Sequence, residues 1–373
     1  MSGDALVGRL TLRPGAVPPI ICERPMVRAA LMHRLTAGRR ANLLPDLIAT
    51  VFTLGGTAQR ATARRAVRAA LGAHDDARAR THDGCMLALY TAREHLQRLA
   101  LDVPARAPLP GAAPDTAWLR DAPVLALPAQ GPGPSDLALD DVQAGMPSWL
   151  ERRLLGMPAA RWLESWQADP AGWLQQWCEG RAHPVARWLA AAAAPARAIA
   201  LPCRPLGLLD EGEVGLRGLG ATLAGEADFA ERPCWHGAPA ETGPWTRRGH
   251  ALAPATPWER LGARLADLAR IALGARLGYG ALQLQPGEGI AWSEMSRGLL
   301  VHWVRLEPGA RSRDAARAET YRVLAPTEWN FHPDGALGAA LRAQRLDEAQ
   351  ARLAAVALDP CIEFDVAARP CTR

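Results

Sequence analysis

The sequence predicts a predominantly helical α+β protein, and three observations carry that expectation. Apolar residues recur at helical spacing through the first hundred residues and again after residue 256. A capping box stands at residues 256–259, where Thr256 caps, Pro257 takes the first helical position and Glu259 the third. Two runs of strand-forming residues, 299–306 and 321–324, come late in the chain.

The elements follow in order. Between residues 25 and 71, Met26, Ala30, Leu31 and Leu35 share one helix face. A second apolar stretch at 43–54 closes at Gly55-Gly56, a helix stop or tight turn, and a third helix starts near Ala58. Residues 86–101 form an amphipathic helix carrying Leu87, Tyr90, His95 and Leu99. Prolines and glycines then break residues 102–147 into a loop-rich connector with one strand candidate at 124–127. A tryptophan-rich helical block at 149–188 follows, with Asp169 as cap and Pro170 at the first helical position. Trp162, Trp166, Trp173 and Trp177 keep near one face, which reads as core, with a partner-docking surface as the alternative. Leu261, Leu265 and Leu268 form the apolar stripe of the capped helix, Pro308-Gly309 turns between the two strands, and residues 336–357 make one last long helix. The expected organisation is an N-terminal helical part (1–101), the connector (102–147) and a C-terminal helical and β part (148–373), together one structural unit.

Composition excludes several functions. All 43 basic residues are arginine, so there is no P-loop lysine, Schiff-base lysine or lysine base. The net charge of +5 is spread along the chain, without the basic stripe and interleaved aromatics of a nucleic-acid binder. The densest basic cluster, residues 60–68, reads as a solvated helix face. No apolar run reaches the roughly 18–20 residues of a membrane span, and no secretory signal opens the chain, so a cytoplasmic location is expected. The seven cysteines include no CxxC pair, which argues against a paired-cysteine zinc site and a disulfide framework. GxSxG, HExxH and GxGxxG motifs are absent, no two of the nine histidines have metal-ligand helical spacing, and His302 reads as a structural residue. The residues alone lead to an α+β protein without an autonomous catalytic motif.

Several segments, in order, resemble the [NiFe] hydrogenase large subunit. Residues 294–303 (EMSRGLLVHW) are similar to its EAPRGxLxHW segment, 325–330 (APTEWN) to its VPTTWN segment, and 359–361 (DPC) to its C-terminal DPCxxCxxH. Residues 233–248 are similar to the segment ending EVGPLAR, 52–58 (FTLGGTA) occupy the place of the CGxC segment, and 93–96 (REHL) resemble the histidine-bearing helix after it. The resemblance covers most of the chain and implies a degenerate large-subunit-like fold with a small late β element.

The departures are as informative. In the resembled enzymes two CxxC pairs hold nickel and iron; here Leu54 and Thr57 stand at the first pair, Phe364 replaces the partner of Cys361, and Ala367 replaces the terminal histidine. One thiolate cannot build a nickel site of four, so neither nickel nor hydrogen turnover is expected. What the resemblance retains is the side of the pocket that donates hydrogen bonds to the iron's cyanides, at Arg297, Pro326 and Thr327, although Ser296 stands where a proline is usual. A guanidinium and a hydroxyl suit an acceptor of that kind. This combination resembles the HupK/HoxV-type hydrogenase accessory proteins. It implies an assembly scaffold, not an enzyme, which holds or transfers a transient Fe(CN)2CO unit through Cys361 as metal ligand, with hydrogenase maturation proteins and the hydrogenase large subunit as partners. The alternative is a metal-free chaperone or docking protein for hydrogenase assembly, working through the tryptophan block. Cys371 and Cys22 are lesser thiol candidates, and with twelve residues after Cys361 no cleavable extension is expected.

Overall fold

The computed structural model describes residues 8–23, 29–52, 54–73, 76–128, 133–248, 255–309 and 315–368. Met26 and Cys371, both named above, lie outside these. β1 (Arg9–Leu12) pairs antiparallel with β2 (Ile20–Glu23) and parallel with β7 (Phe364–Val366), so the N-terminal hairpin clasps the segment just after Cys361. The first helices are α1 (Ala29–Thr36), α2 (Leu44–Val51), α3 (Gly56–Ala70) and α4 (Ala77–Gln97). Gly55, at φ +73°, turns the chain between α2 and α3, as the paired glycines predict. α4 begins nine residues before the expected start at Met86, because Asp76 caps it by accepting from the Ala79 N–H at 2.7 Å.

After α4 the chain takes a π-helical turn (Arg98–Asp102) and a short α5 (Val103–Arg106). The strand expected at 124–127 is a 3-10 turn, Pro123–Ala126: the proline lacks the N–H that a ladder requires, and Val124 is fully buried against helices. Nor is the end of the loop-rich stretch irregular, since Ser135 caps α6 (Asp136–Leu150). α7 (Ala159–Ala168) and α8 (Pro170–Cys178) meet at Asp169, which caps α8 through the Gly172 N–H at 3.0 Å. The four tryptophans therefore sit on two helices, yet they pack together. Trp162 stacks on Trp166 at 5.7 Å and meets Trp173 and Trp177 edge-on at 6.3 and 6.1 Å. Trp162, Trp166 and Trp177 are buried and Trp173 is half-buried, so the block is chiefly core.

α9 (Pro184–Arg197), α10 (Gly212–Gly225) and α11 (Pro257–Ala272) follow. α11 carries the expected capping box, and Leu261, Leu265 and Leu268 are fully buried. The second sheet has four antiparallel strands in the order β3 (Tyr279–Gln285), β4 (Glu288–Met295), β5 (Gly298–Leu306), β6 (Ala318–Leu324). The last two contain both strand candidates; β3 and β4 are additions to the expected architecture. α3 lies so close to β4 that a Cβ on Gly289 would stand 2.4 Å from the Ala66 carbonyl oxygen. Its basic cluster is not simply a solvated face: Arg60 reaches Asp46 outside, while buried Arg65 pairs with buried Asp83 at 2.8 Å.

The chain ends with α12 (Pro326–Asn330), α13 (Ala336–Ala343) and α14 (Glu348–Leu358). Residues 336–357 thus form two helices instead of one. Gln344 leaves the helix to exchange hydrogen bonds with both backbone groups of Ala200, at 3.0 and 2.6 Å, and Asp347 caps the restart through the Gln350 N–H. The main apolar core draws on residues from Leu10 to Phe364. Among the described residues, no helix is long and apolar enough to cross a membrane.

His302 ties α3 to the sheet, with Gln59 at 2.8 Å and Tyr321 at 2.6 Å on its two ring nitrogens, and is fully buried. That burial pushes its pKa down to about 3. As pH falls through the unfolded histidine value of about 6.5, the unfolded chain takes up a proton that the folded chain refuses. Stability must then fall with decreasing pH until about pH 3, where the folded ring titrates. His302→Gln should lower the slope of folding stability against pH between roughly 5 and 6 by up to about 1.4 kcal/mol per unit, read from urea midpoints. An unchanged slope would contradict the neutral buried ring.

Candidate functional site

The retained motifs converge. Ser296 and Arg297 form the two-residue tip of the β4–β5 hairpin, closed by the Met295–Gly298 pair. Such tips ordinarily face water, but this one points inward, and Arg297 is only 3% exposed. Gly298 makes the inward turn possible at φ +133°, since a Cβ there would stand 2.7 Å from the Thr242 side chain. Thr242, from the segment similar to EVGPLAR, accepts the Leu299 N–H through its hydroxyl at 2.9 Å. Its own backbone exchanges two 2.9 Å hydrogen bonds with the Asn330 side chain on α12. The Asn330 amide also reaches the Leu358 carbonyl at 3.4 Å. One asparagine therefore holds three of the motif segments in register.

At the end of α14 the chain turns sharply, with Asp359 in the left-handed region at φ +56°. Its buried carboxylate faces Arg264 at 2.7 Å, Arg98 at 3.3 Å and Arg297 at 3.7 Å. Burial alone would raise its pKa, but the three guanidiniums hold the carboxyl far below the usual range. Arg264 also caps α14, donating to the Val356 and Ala357 carbonyls at 3.3 and 3.0 Å.

Cys361 follows two residues later, half-buried. The Thr327 hydroxyl donates to its sulfur at 3.0 Å and accepts its backbone N–H at 3.2 Å. Pro326, buried at the first position of α12, sets the start of the helix that carries Thr327. Arg297 donates to Glu94 at 2.9 Å and to the Ser296 hydroxyl at 3.3 Å, and Ser296 in turn bonds Glu94. Desolvation works against the Arg297 charge, yet Asp359, Glu94 and Cys361 outweigh it and raise its pKa. The expected positions Cys361, Thr327, Pro326 and Arg297 thus lie in one region, joined by the Thr327–Cys361 hydrogen bond and by Asp359, which faces Arg297 two residues before Cys361.

Three charged partners here escaped the sequence reading: Glu94, Arg98 and Arg264. The segment in place of CGxC also comes close, since a Cβ on Gly55 would lie 2.5 Å from Met295 and 3.9 Å from the Glu94 carboxylate. Leu54, 43% exposed, is a hydrocarbon side chain and offers no metal ligand at that position. Phe364 is buried in β7 under the guanidiniums of Arg106 and Arg352, a packing role. Among the described residues, no group of three His, Cys, Asp or Glu side chains is arranged to hold a metal ion. This region can offer a metal one thiolate, surrounded by hydrogen-bond donors and buried positive charge.

No protein-family model matches the chain. It is 40% identical over 393 aligned positions to the hydrogenase expression/formation protein HoxV of Cupriavidus necator, covering 97% of the chain and 96% of that relative. It is 37% identical to the hydrogenase expression/formation protein HupK of Rhizobium leguminosarum bv. viciae over 44% of the chain and 46% of that protein. Among solved structures it is similar to a [NiFeSe] hydrogenase of Dm. baculatum, with a TM-score of 0.49 and 13% identity over 91% of each chain.

Proposed function

The chain belongs to the family of hydrogenase expression/formation proteins, and from that membership we propose that it acts in hydrogenase formation as a scaffold for the Fe(CN)2CO unit. The observation that carries the reading is the Cys361 thiol, hydrogen-bonded by Thr327 and two residues from the Asp359 carboxylate that buried Arg297 faces. Cys361 would supply a thiolate to the iron. Arg297 would donate to a cyanide nitrogen, which accepts hydrogen bonds and carries negative charge, and Thr327 would turn its one hydroxyl proton from the sulfur to a second cyanide once the iron occupies the sulfur lone pair. Pro326 forms part of the surrounding wall. The iron unit is cargo in this scheme, and the chain has no turnover of its own. Transfer requires partners, namely the maturation proteins that deliver the unit and the hydrogenase large subunit that receives it.

Only one of the four thiolate positions survives, so the site favours iron, which brings three diatomic ligands of its own, over nickel, which needs several thiolates fixed together. A single thiolate also suits a carrier, since a full ligand set would trap the cargo.

The test is Cys361→Ala in cells that make the cognate hydrogenase. The expected result is loss of hydrogenase activity, with the variant accumulating and melting as the native chain does. Normal hydrogenase formation by that variant would overturn the reading and favour a metal-free docking protein.

A further inference from the structure

Cys361 sits at the centre of a five-residue loop, residues 359–363, between the end of α14 and β7. A loop this short presents its thiol in one direction only if its backbone is held. One side chain does most of that holding, and it comes from a part of the chain that resembles no motif. Arg106, the last residue of α5, directs a single guanidinium nitrogen at the carbonyls on either side of Cys361, Pro360 and Ile362, each at 3.3 Å. Its other terminal nitrogen pairs with Glu363 at 2.5 Å, and its guanidinium lies 6.0 Å from the Phe364 ring centre. The side chain is 15% exposed. It therefore touches four of the five residues from Pro360 to Phe364, all except Cys361.

The placement is built in. The π-helical turn at Arg98–Asp102 leads directly into α5. Arg98, Asp102 and Arg106 follow at four-residue intervals; Arg98 pairs with Asp102 at 2.7 Å and with Asp359 at 3.3 Å. The same helical segment thus grips both ends of the loop, Asp359 through Arg98 and Pro360 to Glu363 through Arg106. π-turns are a recurrent way of re-aiming side chains at functional sites. The end of the segment is fixed in turn by the Trp188 indole, which donates to the Ala107 carbonyl at 3.0 Å.

We propose that Arg106 is a positioning residue for Cys361: it fixes the backbone on both sides of the thiol so that the sulfur meets Thr327 and its cargo in one orientation. This rests on the cargo reading above. Arginine is required because two nitrogens of one rigid fork act at once, whereas a lysine ammonium is a single point donor.

Hydrogen exchange of the iron-free full chain, together with iron content and infrared spectra of the chain purified from a host carrying the maturation genes, tests the proposal. In Arg106→Gln, exchange in residues 361–364 should rise about tenfold, as expected for losing charge-assisted hydrogen bonds, while α11 and the four-stranded sheet keep their protection. Retained iron should fall about tenfold, with Arg106→Lys intermediate in both. Glu363→Gln, altering a side chain 80% exposed, should loosen the same loop to a smaller extent if Arg106→Gln fails to fold. Unchanged exchange in the loop would overturn the proposal. So would iron lost by Cys361→Ala but fully kept by Arg106→Gln, an outcome that leaves the cargo reading intact. Iron kept equally by native and Cys361→Ala chains would overturn the cargo reading and this inference with it.

Discussion

Asp359→Ala should cost about 3–5 kcal/mol of folding stability, the amount typical of removing one partner from a buried ion cluster. The carboxylate faces three guanidiniums, from Arg98, Arg264 and Arg297, each about 2–3% exposed at its side chain. Without it their charges stay in the interior with less compensation. Arg98 keeps Asp102 and Arg297 keeps Glu94, whereas Arg264 loses its pairing with Asp359 itself. Replacing the exposed partner in the Arg60–Asp46 pair should cost at most about 1 kcal/mol, because water screens it. The pH dependence has a definite sign. The folded pKa of Asp359 is depressed, so its contribution is complete above the unfolded aspartate value of about 3.9 and is lost as pH falls towards the folded value. Urea denaturation of Asp359→Ala and Asp359→Asn near neutral pH checks the first claim. A loss below about 1 kcal/mol would mean that the three arginines are compensated elsewhere.

Arg297→Met should reduce retained iron about 10–100-fold, the usual effect of removing a hydrogen-bonding partner around a metal site. Methionine fills much of the same volume without donors. Arg297→Lys keeps the charge but not the planar fork that serves Glu94 and the cargo together, so it should recover only part of the loss. Iron per chain, determined after purification alongside the maturation proteins, is the readout, and the melting temperature separates the effect from unfolding. Full iron retention by Arg297→Met would remove the arginine from the site.

The sequence made some of this legible and hid the rest for identifiable reasons. Local signals held up: the box at Thr256 and Glu259, the cap at Asp169, the turn at Gly55 and the strand-forming runs around His302 and Tyr321 all depend on near neighbours. β4 stayed hidden because its buried Glu288 and Glu294 read as solvent positions; their partners, Trp303 and Arg305 for one and Arg247 for the other, become visible only in three dimensions. The break near Gln344 was likewise set by distant Ala200. Within the site, Cys361, Thr327 and Arg297 could be found from ordered short segments. Arg98, Arg264 and Arg106 could not, because in a chain whose every basic residue is arginine a buried arginine looks like a surface one; Glu94 stood inside the quoted 93–96 segment, but nothing local marked it as the partner of Arg297. The burial of Trp162, Trp166 and Trp177 leaves Trp173 as the one partly exposed ring of the four that were read as a docking alternative.

The most direct test of the central claim is the infrared spectrum of the native chain purified from a host that carries the hydrogenase maturation genes. Bands in the cyanide and carbonyl stretching regions that accompany the native chain and are missing from Cys361→Ala are the result expected of an Fe(CN)2CO carrier. A native spectrum without those bands, or bands that persist unchanged in Cys361→Ala, would contradict it.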